Sequence, residues 1–152
     1  MTGESNLLKL VDADAPADGY RLDEQVGFLL RRAHQRHVAI FAAAIPELTP
    51  PQFAALAKLG EVGDCSQNQL GQLVAMDSAT IKGVIDRLKG RGLVSLAPDT
   101  VDKRRIVVSL TNDGREVLAS LKTTAADISR ETLQPLSERE AETFVKLLGK
   151  LG

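Results

Sequence analysis

The stretch "PDTVDKRRIVVSLTNDG", Pro98–Gly114, ends a polar tip in three consecutive cations, Lys103, Arg104 and Arg105, and runs straight into the β-favouring "IVVSL". Upstream of the tip, "LVSLA" at 93–97 is a second short β-rich run, so the two predict a hairpin with a long cationic end. The whole chain is slightly acidic, with a formal net charge of −1. Between Lys82 and Arg105, however, Lys82, Arg87, Lys89, Arg91, Lys103, Arg104 and Arg105 face only Asp86, Asp99 and Asp102, a net +4 that leaves −5 for the remainder. A surplus confined to one segment is either a solvated charge run or the face that meets a polyanion.

Working upstream, "SATIKGVIDRLKGRG" carries Ile81, Val84, Ile85 and Leu88 on one stripe and ends at Gly90 and Gly92. Before it, "SQNQLGQLV" reads as a short helix in which Ser66 caps, Gln69 closes a capping box, and Leu70, Leu73 and Val74 point inward. Only Ala75, Met76 and Asp77 separate the two, the spacing of a helix-turn-helix. "LTPPQFAALAKLGEVG" predicts another helix, with Thr49 as cap, Pro50 at its first position, Gln52 three residues after the cap, and Phe53, Leu56 and Leu59 on one face. A long first helix is expected from Leu22, with Val26, Leu29, Leu30, Ala33, Val38, Ile40, Phe41 and Ala44 at helical spacing and Pro46 closing it.

Downstream of the hairpin, Thr111 opens a helix bearing Val117, Leu118, Leu121, Ala125 and Ile128. A last helix starts at the capping box of Ser137 and Glu140 and carries Phe144, Val145, Leu147, Leu148 and Leu151. Residues 1–20, with an apolar patch at Leu7, Leu8, Leu10 and Val11, read as an arm, either laid across a partner subunit or disordered.

Composition agrees with this order of elements. The chain has 152 residues, 43% of them apolar, enough for one core without a metal or disulfide. Aromatics make up 3% and Trp is absent, which favours close-packed helices over an aromatic-lined cleft. The single cysteine, Cys65, cannot pair within the chain and is expected to be buried and unreactive. No apolar run approaches the ~18 residues of a membrane span, and the N-terminal sequence lacks the pattern of a signal peptide, so a cytoplasmic protein with no membrane partner is expected. The fold class is therefore mostly α with a small β-hairpin wing: a winged helix-turn-helix over 47–111, a helical dimerisation region made of 21–46 and 112–152, and the arm 1–20.

Helix, turn, helix, strand, cationic tip, strand is an arrangement suited to duplex DNA. The major groove admits one helix, and a hairpin beside it reaches the neighbouring minor groove, whose negative potential draws Arg. Opposite the apolar stripe of the second helix lie Ala79, Lys82, Gly83, Asp86 and Arg87, with Ser78 and Thr80 near its start. Small residues there let a helix settle deeply, and Ser, Thr, Lys and Arg donate to phosphates or base edges. Gln67 and Asn68 open the preceding helix, where backbone amides favour an anion. The candidate DNA-contacting set is thus Gln67, Asn68, Ser78, Ala79, Thr80, Lys82, Gly83, Arg87, Asp102, Lys103, Arg104 and Arg105.

From about Leu22 onward the chain resembles the multiple-antibiotic-resistance regulator (MarR) family of winged-helix repressors. The residues that carry the likeness are "DSATIKGVIDRLKGRGLV" and then "DKRRIVVSLTNDG": Asp, any residue, Arg, a strand, Leu-Thr and a Gly. The resemblance implies that Asp102 orients the wing, that Arg104 enters the minor groove, and that Leu110, Thr111 and Gly114 form the exit into the next helix. Arg105 stands where many relatives have a small or polar residue, which leaves open whether Arg104 alone or both arginines touch DNA. The resemblance also implies a homodimer on a palindromic operator, formed through the terminal helices, and a small aromatic anion as effector.

For that effector the first helix offers "RRAHQRH". His34 and His37 lie beside apolar rows, either as satisfied core histidines or, with Arg31 and Arg36, as holders of a carboxylate or phenolate such as a hydroxylated nicotinate or benzoate. Two histidines three apart lack the further ligands that zinc needs, so neither a metal nor a cofactor is expected. No phosphate-cradling loop, paired acids or nucleophile constellation is present, so an enzyme is not expected. The alternative to a DNA-binding regulator is a winged helix that serves only protein partners, and the two differ in salt response.

Overall fold

The computed structural model describes residues 19–152 and divides the chain into two units, 1–37 and 38–152. Leu7 to Val11, and with them nearly all of the expected arm, lie outside the described residues.

In the first unit a 3-10 turn, Leu22–Glu24, precedes helix α1 (Val26–Ala44), whose residues up to His37 belong to this unit. The helix therefore begins later than the apolar spacing from Leu22 predicts. Gln25 between the two is extended, with φ −83° and ψ 136°, and its side-chain amide donates to the Arg21 carbonyl at 2.9 Å. Arg32 lies 5.9 Å from the centroid of the Phe28 ring, one helical turn back. Leu22, Val26, Leu29 and Leu30 are exposed.

The second unit begins with the end of α1. It continues through α2 (Pro50–Val62), β1 (Cys65–Ser66), α3 (Gln67–Leu73), α4 (Ser78–Gly90), β2 (Val94–Pro98), β3 (Ile106–Leu110), α5 (Asn112–Leu133) and α6 (Glu138–Gly149). Thr49 and Ser137 both form the expected capping boxes, so two donors at each helix start are satisfied by side chains. Ser66 accepts from the Gln69 amide at 3.2 Å, without the reciprocal bond that a full box requires. α3 stops at Leu73, so four residues rather than three separate it from α4, and Leu73 is exposed rather than pointing inward. Within that turn Ala75 takes φ 56°, and Met76 donates to the Gly71 carbonyl at 2.8 Å. Asp77 caps α4 by accepting from Thr80 N–H at 2.7 Å.

The sheet has three antiparallel strands in the order β1-β3-β2. β3 falls where the sequence places it, β2 is displaced by one residue from 93–97, and β1 adds a third strand that the sequence reading lacks. Cys65 pairs with Val108 and Ser66 with Val107.

Ile45, Leu56, Leu70, Ile81, Ile85, Leu88 and Val108 are fully buried and hold the helices against the sheet, each worth about 1.5–3 kcal/mol relative to exposure. Phe41 and Phe53 meet edge to face with centroids 6.0 Å apart. Leu118 and Ile128 join this core, although they lie on a helix of the expected dimerisation region 112–152. α6 differs: none of its residues is buried, and Phe144, Val145, Leu147 and Leu148 are exposed.

Candidate nucleic-acid interface

Burying Ile81, Val84, Ile85 and Leu88 fixes which side of α4 looks outward. Ser78, Ala79, Thr80, Lys82, Asp86 and Arg87 are exposed, and Gly83 is half-buried. Lys82 is tethered by Asp86, with Nζ to Oδ2 at 3.0 Å, an exposed i,i+4 pair worth a few tenths of a kcal/mol that a phosphate can replace. Gly83 has open space where a Cβ would stand, so its role is not to relieve crowding within the fold.

The wing tip is held by its own polar groups. Asp99 accepts from the Val101 amide at 3.1 Å, and the tip closes through Asp99 N–H to the Arg105 carbonyl at 2.9 Å and Arg105 N–H to the Asp102 carbonyl at 3.0 Å. Asp102 Oδ1 accepts from both the backbone N–H and Nε of Arg104 at 3.1 Å. The Arg104 side chain thereby stays 92% exposed while its direction is set. The same bonds, the Arg104 side chain first and its amide second, hold the Asp102 carboxyl below the usual aspartate range.

Arg105 goes elsewhere. Its guanidinium donates to Ser66 Oγ at 3.2 Å, back across the sheet. A cleft of about 450 Å³ lies at this point, lined by Ser66, Gln67, Asn68, Arg104, Arg105 and Ile106. The structure thus brings Gln67 and Asn68 together with two wing arginines, and places Ser78, Ala79, Thr80, Lys82, Gly83 and Arg87 along α4. Lys103 is exposed on the tip.

The exit from the wing is also closed by hydrogen bonds. Thr111 Oγ1 donates to the Gly92 carbonyl at 2.6 Å and accepts from Gly114 N–H at 3.0 Å, while Thr111 N–H donates to the Leu93 carbonyl at 3.1 Å. A Cβ on Gly114 would collide with the Leu93 carbonyl oxygen, so this position requires glycine.

Of the expected effector residues, Arg31, His34 and Arg36 are exposed and His37 is half-buried, all on the first unit's part of α1. The second unit has its own groove of about 680 Å³, with apolar walls that include Val38, Phe41, Ile45 and Leu48 and with Arg87 and Arg91 at its edge. Arg91 also donates to the Glu47 carbonyl. Sequence reasoning missed this groove because its walls come from distant segments. Among the described residues no group of three or more His, Cys, Asp or Glu side chains is placed to hold a metal ion. Cys65 is buried, and that burial, reinforced by the Asp64 charge, raises its thiol pKa.

The MarR family model matches residues 48–106, the segment that runs from just before α2 to the first residue of β3. The HTH-type transcriptional repressor NicR of Pseudomonas putida is 42% identical over 147 residues, 94% of this chain and 93% of that one. The chain belongs to the MarR family. Two solved MarR-type structures agree along most of its length. A probable transcriptional regulator from Pseudomonas aeruginosa is 53% identical with a TM-score of 0.85, covering 87% of this chain and 100% of that one. BpsR of Bordetella bronchiseptica, whose DNA binding is regulated by 6-hydroxynicotinic acid, is 43% identical with a TM-score of 0.84, covering 87% of this chain and 96% of that one. As a MarR-family protein the chain is a DNA-binding transcription regulator with a winged helix. Among the described residues no helix is long and apolar enough to cross a membrane.

Proposed function

We propose that this MarR-family chain is a dimeric repressor that binds a palindromic operator and is released by a small aromatic carboxylate, such as a hydroxylated nicotinate or benzoate. The observation that carries the DNA-binding part is the wing tip: an exposed Arg104 aimed by Asp102, on the same lobe as the polar face of α4. In this reading α4 enters the major groove with Ser78, Ala79, Thr80, Lys82, Gly83 and Arg87, Gln67 and Asn68 meet the backbone, and Arg104 enters the minor groove. The exposed apolar side chains of α6 and those of Leu22, Val26, Leu29 and Leu30 support a second copy as partner, since a regulator reading two half-sites needs twofold symmetry.

The effector class is supported by BpsR, 43% identical to this chain, whose DNA binding is regulated by 6-hydroxynicotinic acid. Two groups of side chains suit an aromatic anion: Arg31 and Arg36 with the ring N–H donors of His34 and His37 on α1, and Arg87 and Arg91 beside the apolar groove. Release then follows from the effector favouring a state that binds DNA less well.

A mobility-shift assay on the region upstream of its own gene, repeated with a panel of aromatic acids, tests the proposal. A retarded band that hydroxylated nicotinate or benzoate dissolves is the expected result. If His34→Ala or His37→Ala blunts release without weakening DNA binding, the effector sits on α1; if Arg91→Ala does so instead, it sits in the groove. A band indifferent to every acid would remove the effector assignment and leave the DNA-binding one standing.

A further inference from the structure

We infer that the two wing arginines do different work: Arg105 is a positioning residue that latches the wing to the start of α3 through Ser66, and Arg104 alone enters the minor groove. This rests on the DNA-binding reading above and addresses a point the sequence leaves open.

The backbone around Arg105 is fixed from both sides, its N–H on the Asp102 carbonyl and its carbonyl on the Asp99 N–H. Arg105 lies two residues before Val107, the strand partner of Ser66, so its side chain is on the Ser66 side of the β1–β3 pair and at a diagonal to it. From there the guanidinium reaches Ser66 Oγ at 3.2 Å. That oxygen is already the cap of α3, accepting from Gln69 N–H, and Ser66 is itself buried. One hydroxyl therefore joins three parts of the interface: the wing base, the short strand β1 and the helix that opens with Gln67 and Asn68.

Arg104, one residue earlier, makes no such link. Its partner is Asp102 on the same tip, and its side chain projects into solvent. A hairpin tip that is closed only on itself can swing about its strands, and an arginine on a swinging tip loses orientational freedom on binding DNA, which costs affinity. Tying the base of the tip to α3 reduces that loss. Arg105 then acts on the operator through the placement of Arg104.

The test compares Arg104→Ala, Arg105→Ala, Ser66→Gly and the double variant Arg105→Ala/Ser66→Gly by fluorescence anisotropy in the full-length protein. The duplexes carry either A·T or G·C pairs where the wing meets the minor groove. Glycine removes the hydroxyl and costs the α3 cap only a few tenths of a kcal/mol, so the helix start survives. Arg104→Ala is expected to abolish the preference for A·T, and Arg105→Ala to lower it at least about fivefold while leaving the slope of log K against log salt near the wild-type value. The double variant should match Arg105→Ala alone within about twofold, since both substitutions break one link. General loss of stability would not change the A·T preference, and melting curves of each variant show that independently. The inference is overturned if Arg105→Ala keeps the preference and reduces the slope by about 0.9, the mark of a lost phosphate contact. It is equally overturned if the effects of Arg105→Ala and Ser66→Gly add. Should the wild type bind neither duplex, the DNA-binding reading itself fails, which is a separate result.

Discussion

Asp102 grips Arg104 at two points, Oδ1 accepting from Nε at 3.1 Å and Oδ2 from Nη2 at 3.4 Å, and it also accepts from the Arg104 amide. The pair lies on the outermost part of the wing, where an ion pair adds little to stability but does fix a direction. Replacing Asp102 with Ala is therefore expected to leave the melting temperature within about 2 °C of wild type, a surface-substitution effect. Operator affinity should fall by roughly tenfold, the scale of one charge-assisted contact misdirected. Differential scanning fluorimetry and anisotropy measure the two quantities side by side.

The lowered carboxyl pKa of Asp102 gives that pair a defined pH range. A carboxyl whose folded pKa is depressed contributes fully above the ordinary aspartate pKa of about 3.9 and is lost only as the pH falls through the lower folded value. The Asp102 carboxyl resonance should accordingly titrate below that of an unstructured peptide. In Arg104→Ala, which removes the side-chain part of the shift, it should move back upward.

Two glycines that look alike in the sequence should respond oppositely to alanine. At Gly114 the new methyl meets the Leu93 carbonyl oxygen, part of the backbone, so about 1–3 kcal/mol of stability is expected to go. At Gly83, inside α4 with open space around it, alanine should add up to about 1 kcal/mol through helix propensity. Urea unfolding of both variants checks the sign at each site. With α4 in the DNA major groove as proposed, Gly83→Ala should nevertheless weaken operator binding.

Buried Cys65, its thiol pKa raised, is expected to react slowly with a disulfide reagent at pH ~8, since only the thiolate attacks. Operator binding should survive peroxide treatment, and Cys65→Ala should bind DNA like wild type. A loss of binding on oxidation that Cys65→Ala prevents would contradict this.

Thr49 offers a direct measure of one cap. Its side chain and that of Gln52 satisfy each other's backbone amides at 3.3 and 3.2 Å, so Thr49→Ala should cost about 1 kcal/mol in urea unfolding.

What could be read from the sequence was the local chemistry. Thr49, Thr111 and Ser137 cap helices because a hydroxyl bonds an amide three residues on, and Ile81, Val84, Ile85 and Leu88 bury one face because of helical period alone. The hairpin was legible from two β-favouring runs on either side of a polar tip. β1 was not, since two residues carry no periodic signal and Cys65 becomes a strand only by pairing with Val108, far along the chain. Likewise the latch from Arg105 to Ser66 spans 39 positions, and the contact between Arg91 and the Glu47 carbonyl spans 44, so neither leaves a local pattern. Within the site, the cationic tip and the outward face of α4 follow from spacing; the different partners of Arg104 and Arg105, Asp102 and Ser66, depend on the fold.

The most direct test of the account is a salt titration of operator binding. A palindromic duplex from the region upstream of the gene is titrated with the full-length protein between ~50 and ~200 mM salt, with stoichiometry read at saturation. The account predicts two protomers on each duplex and an affinity that falls at least about a hundredfold across that range as displaced counterions return to the phosphates. One protomer per duplex, or an affinity that does not change with salt, would contradict it.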